Sequence, residues 1–340
     1  MKYSRSQINK AGQIMLSSQD EYEVESAKAI INEWRQNHLP VLERLSEDLR
    51  RFLASNGVEY LFYSQRLKRM TSIQDKLDKS PEARLGGIND IGGLRFVFKD
   101  MDSLCSARGQ LDNYVPEGFE LIRKSDNYDY IARPRYTGYR SIHSVYKCRD
   151  VDERYDGLRI ELQIRTKSQH NWATAVESAE LLTNSALKNG EGTDVWLNFF
   201  KIVSALFSIS EGNPVLEEYS GKTKPELVAE LVALNKQCKC LALLKAVKAS
   251  LQYVEKNEIH KDYYLLTVDY ERKYVEVKGF TSDQKDEAYR QYSEKESQLD
   301  YSKNAVVLVS SLDIRELLEA YPSYFMNTTE FIDAVEGFLN

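Results

Sequence analysis

The run "LRIELQIRT", Leu158 to Thr166, alternates strictly: Leu158, Ile160, Leu162 and Ile164 are interleaved with Arg159, Glu161, Gln163 and Arg165. Successive side chains of an extended chain point to opposite sides, so a period of two predicts a β-strand with one buried face. The segment must therefore lie in a sheet covered on its apolar side. Its other face carries a carboxylate flanked by two guanidinium groups. Such a face is either solvated or lines a site, and the rest of the chain decides between them.

"GGLRFVF" (92–98), "FELIRK" (119–124), "NYDYI" (127–131) and "RSIHSVYKC" (140–148) read as further strands. Upstream, Ala27, Ile30, Ile31, Trp34, Leu42, Leu45, Leu49, Phe52 and Leu53 recur at helical spacing, with Ser18 and Glu21 at capping-box spacing. Pro40 interrupts that pattern, which predicts two helices or one kinked helix across 19–55. His38, on this segment, is expected to be a packed or hydrogen-bonded histidine rather than a ligand. "SQHNWATAVESAELLT" and "DVWLNFFKIVSALFSI" are helical patterns. Helices, then a mostly antiparallel sheet, then helices predict an α+β domain over 1–212, closed by the turn "EGNP" at 211–214.

Residues 213–260 read as a helical linker, one helix or a pair. A small second α+β domain is expected over 261–340. "YYLLTVDY" and "YVEVKGF" form a hairpin separated by Glu271, Arg272 and Lys273. A polar helix (283–299), the strand "AVVLVSS", the helix "DIRELLEA", the stretch "YPSYF" and a last helix "TTEFIDAVEGFL" follow.

With 42% hydrophobic and 29% charged residues among 340, a globular chain is expected. No apolar run approaches the ~20 residues of a membrane span, and "MKYSRSQINKAGQ" lacks the apolar core of a secretory signal. A cytoplasmic location and no membrane partner are expected. Cys105, Cys148, Cys238 and Cys240 do not form the two spaced pairs of a zinc cluster and read as reduced thiols. Residues 1–213 hold 30 Lys+Arg and 30 Asp+Glu, leaving 16 and 22 for residues 214–340 out of totals of 46 and 52. The net charge of −6 therefore sits wholly in the C-terminal part, either as complement to the Arg-rich part or as a solubilising surface.

Several stretches between 66 and 165 carry phosphate-handling chemistry. "RLKRMTSIQDK" offers Arg66, Lys68, Arg69, Ser72 and Lys76; fixed cations and a hydroxyl suit phosphate oxygens, although most basic runs are solvated faces. Asp90, just before a strand, and Glu161 are two carboxylates of the kind that bind Mg²⁺ together with substrate phosphates; Asp90 is as easily a turn residue. Tyr139, presented after Gly138, is either a stacking platform for a nucleobase or an ordinary rim aromatic. Arg133, Arg135 and Arg140 surround it and are expected to face an acceptor carrying phosphates.

Taken together, "RLKRMTSIQDKL", "INDIGGLRFVF", "YIARPRYTGYRSIHSVYK" and "IELQIRTKSQHNWA" resemble, in order and spacing, the RelA/SpoT synthetase domain, over about residues 20–210. The resemblance implies a mixed sheet flanked by helices and transfer of pyrophosphate from ATP to a 3′-hydroxyl. It implies Asp90 and Glu161 as the Mg²⁺ pair, with Glu161 also the base on the acceptor hydroxyl. Arg66, Lys68, Ser72, Lys76, Arg95 and Arg165 would then serve ATP, and Tyr139 and His143 the acceptor. With no hydrolase domain ahead of it, a long bifunctional enzyme is not expected. Thr137 stands where the family often has Asn, which leaves the acceptor open. On this reading the polar face of 158–165 lines an active site.

The C-terminal stretches resemble the antitoxin region of the CapRel fused toxin–antitoxins, a pseudo-zinc-finger. That resemblance implies a toxin that pyrophosphorylates the 3′-CCA end of tRNA. It would be held inactive by intramolecular contact of its C-terminal domain and released by a phage protein such as the major capsid protein. Tyr321 and Tyr324 of "YPSYF" would be the autoinhibitory element, or else core residues of the small domain. The alternatives are a small alarmone synthetase making (p)ppGpp or (p)ppApp, and a non-enzymatic binding module.

Overall fold

The computed structural model describes residues 3–80, 82–150, 152–183, 185, 187–248, 252–254, 261–269, 274–298, 304–310 and 328–339. Three helices open the chain: α1 (Arg5–Ser17), α2 (Glu21–Gln36) and α3 (His38–Ser55). Asp20 caps α2 by accepting from the Tyr22 and Glu23 amides. Pro40 lies in the first turn of α3, where its missing N–H has no intrahelical partner to lose, so the chain divides at Asn37 into two helices. His38 is a packed histidine: its Nδ1 lies 3.1 Å from the Trp34 carbonyl, and burial pushes it down to about 4.

The first sheet has five strands: β1 (Phe62–Leu67), β2 (Gly92–Phe98), β3 (Phe119–Arg123), β4 (Ile142–Cys148) and β5 (Arg159–Thr166). Their order is β1-β2-β5-β4-β3; β2 and β5 run parallel, the other pairs antiparallel. It is thus a mixed sheet. Between the strands lie α4 (Met70–Asp78) and α5 (Met101–Leu111). Ile160, Leu162 and Ile164 turn into the core built with α1 to α5. "NYDYI" is not a strand: Ser125–Tyr128 form a 3₁₀ turn and only Asp129 bridges to Ile142. Arg108 gathers Asp126 and Asp129, and the Asp129 carboxylate caps the Ile131 and Ala132 amides, so local bonds outcompete strand pairing there.

A second core is helical: α6 (Lys167–Thr183), α7 (Asp194–Ser210), α8 (Lys224–Cys238), α9 (Cys240–Lys248) and α11 (Thr329–Leu339). The segment read as a linker is thus packed, with Leu227, Leu231, Leu241 and Leu244 buried beside α7. Lys239, at φ +54°, ends α8 in the left-handed conformation and turns the chain into α9. The last helix joins this core too. Phe331 is buried against Phe199, Phe200 and Phe207 with ring centroids 5.9–6.4 Å apart. Phe331→Ala is expected to cost about 3–5 kcal/mol through lost burial and a residual cavity, read as a lower melting temperature.

A second sheet orders β6 (Gln252–Val254), β8 (Tyr274–Phe280), β7 (Tyr263–Asp269) and β9 (Asn304–Ser310), and α10 (Lys285–Gln298) packs on it. β7 and β8 are the expected antiparallel pair, their connection lying outside the described residues. The two sheets meet where Leu308 and Val309 of β9 and Gln65 and Arg66 of β1 line one small gap.

Polar contacts tie α10 and β7 to α2 and α3. Arg35, fully buried, is clasped by both oxygens of Glu296 and donates to the Lys68 carbonyl at 3.1 Å. Gln36 bonds Ser293. Glu43 accepts from Tyr263 (2.9 Å), Tyr289 (2.8 Å) and Lys285. Among the described residues no helix is long and apolar enough to cross a membrane.

Candidate active site on the open face of the first sheet

Residues directly opposite on neighbouring strands share a face, so the register writes out the rows of the site. One row is Ser64, Arg95, Gln163 and His143; the next is Arg66, Gly93 and Glu161. Gly93 interrupts the second row. A Cβ there would meet only the Arg66 carbonyl at 3.9 Å, so an open gap lies between Arg66 and Glu161. Its neighbour Gly92 is glycine for a different reason: a Cβ would come within 2.5 Å of the Ile160 side chain.

Along β5 the polar side chains form a chain. Arg165 donates to Gln163 at 2.7 Å, and Gln163 donates to Glu161 at 2.7 Å. Glu161 also faces His143, 3.5 Å from its Nδ1, and His143 Nε2 lies 2.9 Å from the Tyr139 hydroxyl. Burial penalises the Glu161 carboxylate, but the His143 ring and the Gln163 amide outweigh it and hold it below the usual range. Burial likewise disfavours the imidazolium of His143. The Tyr139 hydroxyl and the Glu161 carboxylate reverse that and raise it above its ordinary value. The charged imidazolium therefore keeps Glu161 ionised.

His143→Ala removes that cation, so the Glu161 carboxyl rises. If ionised Glu161 is the active form, the acid limb of the rate profile moves to higher pH in the variant. A limb that stays in place separates His143 from Glu161.

Asp90 precedes β2 and receives Lys68 and Lys76, each at 2.8 Å. Burial works against its charge, yet the two ammonium groups hold it well below the usual carboxylate range. Glu161 feels the Asp90 charge, so the two carboxylates belong to one electrostatic site. Among the described residues no three or more His, Cys, Asp or Glu side chains form a metal cage. Two carboxylates beside an open gap fit Mg²⁺, which takes one or two carboxylates and completes its shell with water and substrate phosphates.

Arg95 adds fixed charge. Burial and the nearby Arg165 push its guanidinium down, with Glu177 working against them, and its buried Nε has no hydrogen-bond partner. Arg66 on β1, Arg95 on β2 and Arg165 on β5 thus lie within electrostatic reach of one another, with Arg165 bridging toward Tyr139. Ser72 and Lys76 lie on α4.

On the other side Tyr139 sits beneath Arg165, 5.9 Å from its ring centroid, and packs edge-on with His143 and Tyr130. Gly138 presents it at φ +92°, and a Cβ there would crowd Ser204 and Trp172 at 3.0 and 3.1 Å. Arg135 stacks over Tyr130 at 5.1 Å, and Arg133 donates to the Asp126 carbonyl. Both are exposed at this rim.

Arg140 is a correction to the sequence-based expectation. It is 3% exposed and donates to the Ser204 hydroxyl and to the Ile131 and Pro214 carbonyls, pinning the Tyr139 loop to α7. It does not face an acceptor. Tyr321 and Tyr324 lie outside the described residues. Sequence reasoning missed the gap over Gly93, Glu177 beside Arg95, and Arg35 under Lys68. The paired glycines of "GGLRF" were the available signal for the first.

A mixed sheet whose open face gathers carboxylates and guanidinium groups around a gap defines an anion-handling α+β domain. Residues 65–182 match the family model described as a region found in RelA / SpoT proteins. Over 124 residues the chain is 35% identical to the probable GTP diphosphokinase RSH3, chloroplastic, of Oryza sativa subsp. japonica, covering 36% of this chain and 16% of that protein. It is 31% identical over 121 residues to the GTP pyrophosphokinase YjbM of Bacillus subtilis (strain 168), covering 34% of this chain and 54% of that one. The matched stretches thus span about a sixth and about half of these relatives. The crystal structure of the small alarmone synthetase 1 from Bacillus subtilis aligns at 21% identity and a TM-score of 0.44, covering 55% of this chain and 93% of that one.

Proposed function

We propose that the first sheet carries a pyrophosphokinase that moves the β,γ-diphosphate of ATP to a 3′-hydroxyl. The observation that supports this most is the row Arg66, Gly93, Glu161: an open gap between a guanidinium and a carboxylate, with Arg95, Lys68 and Asp90 around it. The acceptor oxygen attacks the β-phosphorus, the bond from the β-phosphorus to the oxygen of the α-phosphate breaks, and AMP leaves. Glu161 takes the proton of the hydroxyl. Arg66, Arg95 and Arg165 neutralise and orient the phosphates, and such transfer needs little beyond positioning and charge. Asp90 and Glu161 would hold Mg²⁺, which supplies further neutralisation.

On the acceptor side we read the 3′ end of tRNA, stacked on Tyr139 with its phosphates toward Arg133 and Arg135, so that the protein acts as a toxin on translation. The exposed arginines around an aromatic rim support a polyanionic acceptor. We further read the C-terminal part as a restraint released by a phage protein such as a capsid protein. The clasp of Glu296 on Arg35, one bond from Lys68, supports a link between docking and the nucleotide side. Tyr321 and Tyr324 stay part of this proposal on sequence grounds alone. A small alarmone synthetase is the second reading, favoured by the relatives named GTP pyrophosphokinases. Incubation of γ-labelled ATP with tRNA, GDP, GTP and AMP decides: label on tRNA is expected, label on GDP, GTP or AMP instead favours the second reading, and label on none of them refutes both.

A further inference from the structure

A second basic site lies off the catalytic row, at the end of the first sheet. A cavity of about 220 Å³ opens between α1, the loop ahead of β2 and the β4–β5 turn. Its charged lining is Arg5, Lys147 and Arg159 against the lone carboxylate of Asp156, and its inner wall includes Trp34 and His38. His38, held neutral by burial, adds no charge at neutral pH.

Lys147 and Arg159 are directly opposite on β4 and β5. Like charges in that position repel, and nothing in the sheet's own pairing requires them. Lys147 has no side-chain hydrogen bond or ion pair among the described residues. Arg159 Nε is buried without a hydrogen-bond partner.

The same cations hold the loop that carries Asp90. Arg5 donates twice to the Gly86 carbonyl, at 2.7 and 3.1 Å, and the Gly86 amide donates to Asn9 at 2.8 Å. Arg159 donates to the Gly87 carbonyl at 3.1 Å and to Asn89 at 2.9 Å, one residue from Asp90. An anion in the cavity therefore engages the very groups that position the Asp90 loop.

We propose that this cavity is a binding site for a phosphate group, formed by Arg5, Lys147 and Arg159 and distinct from the Arg66, Arg95 and Arg165 cluster. The phosphate belongs either to the acceptor, beyond its reacting end, or to a separate phosphate-bearing effector. Binding can be read without any transfer, so the site stands or falls apart from the proposed reaction.

The test is calorimetric titration of inorganic phosphate into the full chain, with the ATP side saturated by a non-hydrolysable ATP analogue. One equivalent is expected to bind. Lys147→Gln and Arg5→Gln are each expected to weaken it about tenfold, the loss of one charge-assisted contact, and Arg290→Gln, at an exposed arginine of α10 paired with Glu287, to leave it unchanged. Absence of binding, or an affinity that neither Lys147→Gln nor Arg5→Gln alters, overturns the site. Steady-state kinetics then separate the sources. A raised acceptor KM at constant kcat in Lys147→Gln assigns the phosphate to the acceptor. An unchanged KM with lost response of the rate to added phosphate assigns it to an effector.

Discussion

Asp90→Asn and Glu161→Gln are each expected to lower pyrophosphate transfer by at least about 10²–10³-fold while the protein stays folded. Both changes keep shape and remove charge. In Asp90→Asn the Lys68 and Lys76 ammonium groups lose the carboxylate they share. In Glu161→Gln the His143 ring and the Gln163 amide face a neutral group, and no base remains for the acceptor hydroxyl. Transfer rates with circular dichroism on the same samples check this. A variant that folds normally and keeps more than half the wild-type rate removes that carboxylate from the chemistry.

Glu296→Ala has the second large effect. Arg35 is 0% exposed, and Glu296 supplies its counter-charge from the C-terminal part. Removing one partner of a buried ion pair leaves an uncompensated charge, at about 3–5 kcal/mol. The cost falls on the contact between α10 and α2, a factor of about 10²–10³ or more in its equilibrium. Hydrogen exchange across 285–298 should accelerate, and transfer should rise if docking restrains the enzyme. Arg35→Met with Glu296→Met should recover much of the stability, because an apolar pair needs no desolvation. Unchanged exchange in Glu296→Ala contradicts the clasp. This variant is a cleaner probe of restraint than a chain ending at Ser210, which strips α11 and uncovers Phe199, Phe200 and Phe207 on α7.

The strip on β5 was legible because a period of two survives in any sheet with one covered face. That Asp90 and Glu161 share one electrostatic site was legible only through the motif resemblance, since Asp90 lies in the loop ahead of β2 and Glu161 on β5, two strands far apart in sequence that a parallel pairing makes neighbours. Arg35 gave no signal: on a helix with apolar neighbours it reads as the solvated edge, and its partner is 261 residues away. Arg140 misled for the opposite reason. Its position beside Tyr139 places it near the rim, but its side chain turns inward to carbonyls that belong to other segments. The last helix read as part of the small C-terminal domain because sequence order was the only guide, whereas its Phe331 and Phe338 are complementary to the aromatic face of α7. Patterns within one element were readable, and partnerships between distant elements were not.

The central claim is transfer of the β,γ-diphosphate as a unit. It is tested most directly by the nucleotide product formed from ATP labelled at its α-phosphate, in the presence of the tRNA and nucleotide acceptors. Labelled AMP, formed one-to-one with modified acceptor and absent in Glu161→Gln, is the predicted result. Labelled ADP as the product, or AMP released at the same rate without any acceptor, would contradict it.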